Sequence, residues 1–194
     1  MKVTAVTLRG HGIYIEPLAD SHGEGLFAIG QEAQDWLYMP RPCFSSLQDC
    51  QQWIAEAQQL AKQGAHISFV IRRETDNQIL GSSRYLNIRS RDKSVEIGYT
   101  WLGKAAQRTY VNTAAKWLLL SHAFEDLGAI RVELKTDARN QRSQTAIARI
   151  GAKQEGVFRK HMIVQDGYIR DSIYFSVIDD EWPTVKANLL AMLS

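Results

Sequence analysis

The chain has 194 residues, 45% of them hydrophobic and 23% charged, an ordinary composition for one globular domain with a sizeable core. Its 23 lysines and arginines against 21 aspartates and glutamates leave a net charge of +2, too small to argue for a nucleic-acid or membrane-surface partner. Two cysteines, Cys43 and Cys50, are too few for a disulfide framework and lie far from any His-rich zinc spacing, so the default expectation is a reducing, cytoplasmic setting and no metal.

The opening MKVTAVTLRG holds no apolar stretch of signal-peptide length, and no run approaches the ~20 apolar residues that span a bilayer. A soluble chain is expected. No repeat, low-complexity tract or Pro/Gly-rich linker divides it, so residues 1–194 are read as one domain.

Taken in order, IYIEPL (13–18) alternates as a first strand, and HGEGLFAIG (22–30) has helical spacing despite its glycines. Ser46-Leu-Gln-Asp49 has the form of a capping box, after which Leu47, Cys50, Ile54, Ala57 and Leu60 recur at helical spacing to about Gly64, with Cys50 on the buried face. HISFVIRR (66–73), QILGSSRYLNI (78–88) and SVEIGYTWL (94–102) are three strands joined by short polar turns, which implies an antiparallel meander. QRTYVNTAAKWLLLSHAFEDLG (107–128) is a loop entering a helix, with Trp117, Leu120, Ser121, Phe124 and Leu127 on one face and Gly128 as a left-handed stop. AIRVELKT (129–136) sets Ile130, Val132 and Leu134 against Arg131, Glu133 and Lys135, so the meander must hand over to a parallel pair. A short helix from Asn140 or Ser143 to Ile150 follows, closed by Gly151. GVFRKHMIV and YIRDSIYFSVI then flank the turn Asp166-Gly167, and Glu181-Trp182-Pro183 opens a last helix with Trp182 as its packing anchor. The whole is an α/β (α+β) domain: a mixed, mostly antiparallel sheet of about seven strands with helices on both faces.

The first turn of a helix presents unpaired backbone N–H groups and the positive end of its dipole, which favour an anion whatever the side chains are. The segment Gln107 to Asn112 leads into such a turn. On these residues alone it is either a phosphate-binding loop or an ordinary helix start.

The ordered landmarks Asn140-x-x-Ser143, Ile150-Gly-Ala, Glu155-Gly-Val, Asp166-Gly, Arg170-Asp-Ser and Glu181-Trp, placed after VEIGYTWL and the QRTYVNTAAKWLLL helix, resemble the GNAT acyltransferase superfamily. The likeness is to its branch of ribosomal-protein N-terminal acetyltransferases and runs from about residue 11 to 185. The resemblance implies that the amides of Gln107, Arg108, Thr109, Tyr110, Val111 and Asn112 hold the pyrophosphate of acetyl-CoA. In the family pattern Gln/Arg-x-x-Gly-x-Gly/Ala, however, Tyr110 stands at the first glycine and Asn112 at the last. The loop remains serviceable if it avoids positive φ, and Asn112 or Thr113 can cap the helix.

Acetyl transfer from a thioester to an amine requires a neutral amine, a stabilised oxyanion and a protonated leaving thiolate. The resemblance places the thioester where two parallel strands splay apart, with Tyr99, Thr100, Trp101 and Leu102 lining the cofactor; the alternative for each is plain core strand. It makes Glu96 the candidate base, against a solvated glutamate on a strand. Asp166, Asp171 and Glu155 are weaker candidates, and His161 could act as a base or line the acceptor pocket. The superfamily's usual tyrosine acid is Ile147 here, so Ser143 is the substitute that the branch suggests, against a helix-capping serine. Asn140 would bond the pantetheine arm, Lys104, Arg139 and Arg142 could meet the nucleotide phosphates, and Trp36, Tyr38, Phe44 and Trp53 could wall the acceptor groove.

The expected activity is acetyl-CoA-dependent acetyl transfer to a primary amine, a protein N-terminus or a small molecule, by direct attack in a ternary complex, since neither cysteine falls in the reacting region. The alternative is a non-catalytic acyl-CoA-binding or regulatory domain of the same fold. Members of the family often pair, so a homodimer is a further expectation, and neither nucleic acid nor membrane is expected as a partner.

Overall fold

The computed structural model describes residues 1–194. Eight strands form one sheet in the order β1-β2-β3-β4-β5-β6-β8-β7. They are β1 (Leu8–Gly10), β2 (Ile13–Pro17), β3 (Ile67–Arg73), β4 (Ile79–Arg89), β5 (Ser94–Leu102), β6 (Arg131–Asp137), β7 (Lys153–Ile163) and β8 (Ile169–Ile178). Every pairing is antiparallel except β5 with β6. The strand beyond the expected seven is β1, three residues long and too short for alternation to reveal. It is made by a two-residue turn in which His11 and Gly12 take φ of 53° and 74°, the positive values that let tight hairpins follow the twist of their strands.

Helices cover both faces. On one lie α1 (Gly23–Ile29), α2 (Ala33–Trp36) and α3 (Leu47–Lys62); on the other are α4 (Val111–Ser121), α5 (Gln141–Arg149) and α6 (Trp182–Leu193). The Ser46 hydroxyl accepts from the Asp49 backbone N–H at 3.1 Å, the N-cap expected for α3. Cys50, Trp53, Ile54 and Ala57 turn inward from that helix. They meet Trp36, Phe44, Val70 and Trp101 in a core under α1–α3. Trp36, Phe44 and Trp53 are therefore packed among themselves, with ring centroids 4.9 Å (Trp36 to Phe44) and 5.5 Å (Phe44 to Trp53) apart.

The opposite face holds the larger core, 31 buried residues centred on β3–β6, β8 and α4. The apolar stripe expected on α4 holds at Leu120 and Phe124, both buried, and is displaced at its other positions. Ala114, Ala115, Leu119, Leu120 and Ala123 are at 0% exposure, whereas Trp117, Ser121 and Leu127 are half-buried and Trp117 sets its edge 4.7 Å from His11. The reason is that α4 is enclosed by the sheet on one side and by α6 on another, so most of its circumference is apolar and no single stripe dominates. The helix then widens into one π turn at His122–Asp126 before Gly128, with φ of 64°, ends it. Ile130, expected inside β6, precedes the strand and is exposed, while Val132 and Leu134 are core as expected.

One charge is buried in this larger core. Lys116 of α4 is 5% exposed and its Nζ donates to Thr100 Oγ1 at 2.7 Å; Thr100 in turn shares a 2.8 Å hydrogen bond with Ser83. Burial lowers its pKa to about 7, because a cation with only hydroxyls around it is poorly solvated. Between pH 7 and the ordinary lysine value near 10.4 the unfolded chain holds this proton and the folded chain releases it, so folding stability rises with pH across that window. Lys116→Met is expected to raise stability at pH 6 by about 2–4 kcal/mol, with the gain shrinking to little by pH 10. Urea unfolding at the two pH values measures it, and a gain independent of pH would count against the buried amine as its source.

Candidate functional site

The parallel pairing of β5 with β6 is short: Ser94 with Arg131, Val95 with Val132 and Glu96 with Glu133. Beyond Glu96 each strand follows its other neighbour. β5 stays with β4 as far as Gly81 opposite Leu102, and β6 stays with β8 as far as Asp137 opposite Ser172. The divergence begins at a bulge, where the β4–β5 register shifts between Ser82 and Arg84 and Tyr99 adopts φ of 49°. A bulge of this kind bends one strand away from its neighbour and leaves backbone groups unpaired. The result is a V-shaped gap whose edges are residues 97–102 and 134–137, with Glu96 at its closed end.

Glu96 is buried at 1% exposure, contrary to the alternative of a solvated strand glutamate. Its Oε2 accepts from Asn87 Nδ2 at 2.7 Å and Lys135 Nζ at 3.1 Å. Oε1 makes no hydrogen bond and lies where a Cβ on Gly98 would come within 3.1 Å of it, so the missing side chain leaves that oxygen uncovered toward the bulge. Lys135 also stands over the Tyr174 ring, whose OH is 3.3 Å from His161 Nε2; His161 Nδ1 is 3.0 Å from Ser172 Oγ. Burial, then Lys135 and Arg170, lower the His161 pKa, and burial pushes the Tyr174 hydroxyl up to about 12. His161 thus joins the network beside Glu96, as a neutral ring. The weaker base candidates do not join it. Glu155 is ion-paired with Arg131, which draws its pKa down to about 2; Asp171 accepts from the Lys160 backbone N–H at 2.7 Å; and Asp166 sits in the β7–β8 turn at φ of 56°.

At the open end of the gap, Gly103–Tyr110 leads into α4. No hydrogen-bond acceptor within the chain is found for the backbone N–H groups of Arg108, Thr109, Tyr110, Asn112 and Thr113, while that of Val111 is bonded to Thr109 Oγ1 at 3.3 Å. Neither Asn112 nor Thr113 caps the helix, and Thr113 Oγ1 instead accepts from Arg149 at 2.9 Å. The expectation that the loop avoids positive φ is overturned: Arg108 takes φ of 58°. Tyr110, standing where the family has glycine, keeps φ of −65°, so no left-handed backbone is demanded of it. Its ring is turned back onto the β1–β2 turn, its OH 3.3 Å from where a Cβ on Gly12 would lie. The bulky side chain therefore leaves the run of amides uncovered.

Gln107 ties the loop down through Nε2 to Leu102 O at 2.9 Å, and its Oε1 accepts from Arg142 at 3.1 Å. That bond brings the start of α5 to the loop. Asn140 is the N-cap of α5, its Oδ1 accepting from the Ser143 backbone N–H at 3.0 Å. Ser143 is not the cap, and its hydroxyl has no hydrogen-bond partner. Arg139 is engaged by Asp137 at 2.8 Å and stacks on Tyr168, and Tyr38 lies 5.6 Å from the same guanidinium. Trp101 and Leu102 are core side chains, on opposite faces of the sheet, and can offer a ligand only backbone. A cavity of about 380 Å³, lined by Ile29, Ile79 and Lys104 among others, lies on the β4 side of β5, away from the gap.

A sheet opened between two parallel strands, a carboxylate at the closed end and a run of unpaired amides at the open end define a site built to place an extended, anion-tipped ligand across the sheet. The acetyltransferase (GNAT) domain family matches residues 13–153, and the chain belongs to that family. It is 32% identical over 111 residues to the Bacillus subtilis (strain 168) protein named "Putative ribosomal N-acetyltransferase YdaF", an alignment spanning 57% of this chain and 60% of that protein. A GCN5-related N-acetyltransferase from Brucella melitensis superposes over 100% of this chain and 88% of its own with a TM-score of 0.93 at 28% identity. Mycobacterium smegmatis RimJ in complex with CoA-disulfide, at 22% identity, shares the fold with a TM-score of 0.81 over 98% of this chain and 95% of its own.

The left-handed backbone at Arg108 carries a measurable cost. A non-glycine residue there is destabilised by about 1 kcal/mol, partly offset because glycine also loosens the unfolded chain. Arg108→Gly is expected to stabilise the protein by about 0.5 kcal/mol and Arg108→Val to destabilise it by about 1 kcal/mol or more, β-branched residues being the least tolerant of positive φ. Chemical denaturation decides it, and the reverse order would mean the loop does not hold this conformation.

Proposed function

We propose that the chain is an acetyl-CoA-dependent N-acetyltransferase that acetylates a primary amine, a protein N-terminus or a small molecule, by direct attack in a ternary complex. One observation carries this: five unpartnered amides at the entry to α4 open onto the same gap that Glu96 closes. The pyrophosphate takes the N–H groups of Arg108 to Thr113, where backbone donors and the helix dipole act together. The pantetheine runs between β5 and β6, satisfying backbone groups that the divergence leaves without strand partners. Asn140, already spent on capping α5, keeps its amide Nδ2 available to the arm.

Glu96 accepts the ammonium proton of the incoming amine at its unbonded Oε1. The amine nitrogen then bonds the acetyl carbon, and the oxyanion that develops is held by an N–H on the free edge of β5 near the Tyr99 bulge. Collapse breaks the carbon–sulfur bond; the Ser143 hydroxyl protonates the departing thiolate and is reprotonated by the second proton that the acetylated nitrogen sheds as it becomes an amide. An acyl-cysteine route is disfavoured because Cys50 is fully buried, with its thiol pushed up to about 11 by burial.

Ser143→Ala is expected to lower kcat about tenfold or more while leaving acetyl-CoA affinity unchanged. Glu96→Gln is expected to lower kcat/KM about a hundredfold. Thiol release from acetyl-CoA over a panel of amines and N-terminal peptides, with calorimetry for the cofactor, measures both. Coenzyme binding without thiol release for any acceptor would favour the non-catalytic acyl-CoA-binding alternative. Tyr110→Asp should weaken acetyl-CoA binding about tenfold, since an aspartate at the N-cap competes for the amides of Asn112 and Thr113.

A further inference from the structure

Among the buried charges that the chemistry above does not use, one lies beside the gap with no anion paired to it. Arg84, in the middle of β4, is 5% exposed, and no carboxylate forms an ion pair with it. Its Nε has no hydrogen-bond partner, and its single hydrogen bond within the protein is a long one, 3.5 Å from Nη1 to His66 Nδ1. The guanidinium is flanked by two aromatic rings, its Cζ 5.0 Å from the centroid of Trp53 and 4.8 Å from that of Tyr99. Buried charges are normally paired, because the cost of removing an ion from water is large; stacking on aromatic rings recovers only part of it. Such a group is held ready for an anion that the protein itself does not supply.

Its position says which anion. Arg84 pairs with Gly98 and Leu86 with Glu96 across β4 and β5, so Arg84 and Glu96 are diagonal neighbours with Cα atoms roughly 7–8 Å apart. Tyr99 stands at the bulge between them. The cations here are Lys135 on Glu96 and Arg170, which is 5% exposed and bonded only to Ser172 Oγ at 3.0 Å and Tyr38 O at 3.5 Å; His66, held below its ordinary pKa by burial and by Arg84, is a neutral acceptor beside the guanidinium. Of the carboxylates near these cations, Glu96 already serves Asn87 and Lys135, Asp137 beside Arg170 is paired with Arg139, and Glu56 near Arg84 is exposed and forms no ion pair with it. A simple cationic amine would meet net repulsion at this end of the site, whereas an amine that carries its own carboxylate would not.

We propose that the acceptor is a small amino carboxylic acid, its carboxylate held by the Arg84 guanidinium between Trp53 and Tyr99 and its amine presented to Glu96. The proposal rests on the N-acetyltransferase reading for the transfer itself, but the anion site stands on its own geometry. It fits a guanidinium, whose planar fork bonds a carboxylate through two parallel N–H donors.

The test compares matched pairs, free amino acids and the same molecules with the carboxylate converted to an amide, by calorimetric binding to the coenzyme-loaded protein and by thiol release from acetyl-CoA. The expected result is that the carboxylates bind and turn over at least tenfold better than their amides. Arg84→Gln should abolish that preference, and Arg84→Lys, which keeps the charge and guards against loss of the fold, should retain only part of it. KM for the amino acid should carry the change, with acetyl-CoA affinity unaltered. Equal binding of the two members of each pair by the native protein overturns the proposal without reference to any variant, as does a preference for N-terminal peptides over every free amino acid. Amino acids that bind through Arg84 with no acetyl transfer to any amine would instead overturn the acetyltransferase reading and leave the anion site in place.

Discussion

The site depends on the point at which two parallel strands stop pairing. If β5 and β6 continued together past Glu96 and Glu133, the sheet would be unbroken and nothing could cross it. What ends the pairing is the competition each strand faces from its other neighbour: β5 follows β4 through a bulge, and β6 follows the seven-residue ladder it shares with β8. Antiparallel ladders are somewhat more stable per residue than parallel ones, so both strands give up the shared edge. The left-handed turn at Tyr99, costly for a bulky aromatic residue, is the local strain that accompanies the divergence.

Opening the sheet exposes backbone and draws charge inward. Glu96 sits at the apex with Lys135 and Asn87 on one oxygen, so the carboxylate is stabilised without being consumed. On the far face Lys116 is held by hydroxyls alone, and on the near face Arg84 is held by aromatic rings. Replacing such groups with apolar ones of similar size is commonly neutral or stabilising for a fold. Their presence around the gap therefore points to function more than to stability, and the contrast between them is informative. Lys116 can relieve its burial by losing a proton, whereas the Arg84 guanidinium keeps its charge at any ordinary pH and can be relieved only by an anion.

Much of the architecture was legible because it is written in local chemistry. The serine N-cap at Ser46, the left-handed stops at Gly128 and Gly151, and the Asp166-Gly167 turn each need a specific residue at a specific place, and each marks a boundary within a residue or two. The site was less legible because its properties come from distant partners. Glu96 looks like an outward-facing strand residue until Asn87, nine positions earlier, and Lys135, 39 positions later, are brought to it. Arg84 carries no signal at all in sequence, since alternation assigns it simply to one side of β4. Trp36, Phe44 and Trp53 were visible as aromatic residues near the acceptor end, but only packing shows that they form a core whose edge, Trp53, supports the Arg84 guanidinium.

The loop before α4 separates two properties that glycine usually combines. Glycine permits positive φ, and it leaves room for a ligand to approach the amides. Here the first property moves to Arg108, which adopts the left-handed conformation at some cost, and the second is met by direction, since Tyr110 is aimed away from the amides. The space for its ring is provided by Gly12, whose own positive φ and absent Cβ let the hydroxyl come close to the β1–β2 turn. The short strand β1 thereby acquires a purpose, because the turn it closes receives the side chain that would otherwise cover the helix entrance. A phosphate-binding motif written as glycines records one solution to a geometric requirement, and the requirement itself, amides with neither a hydrogen-bond partner nor a side chain over them, is met here by other residues.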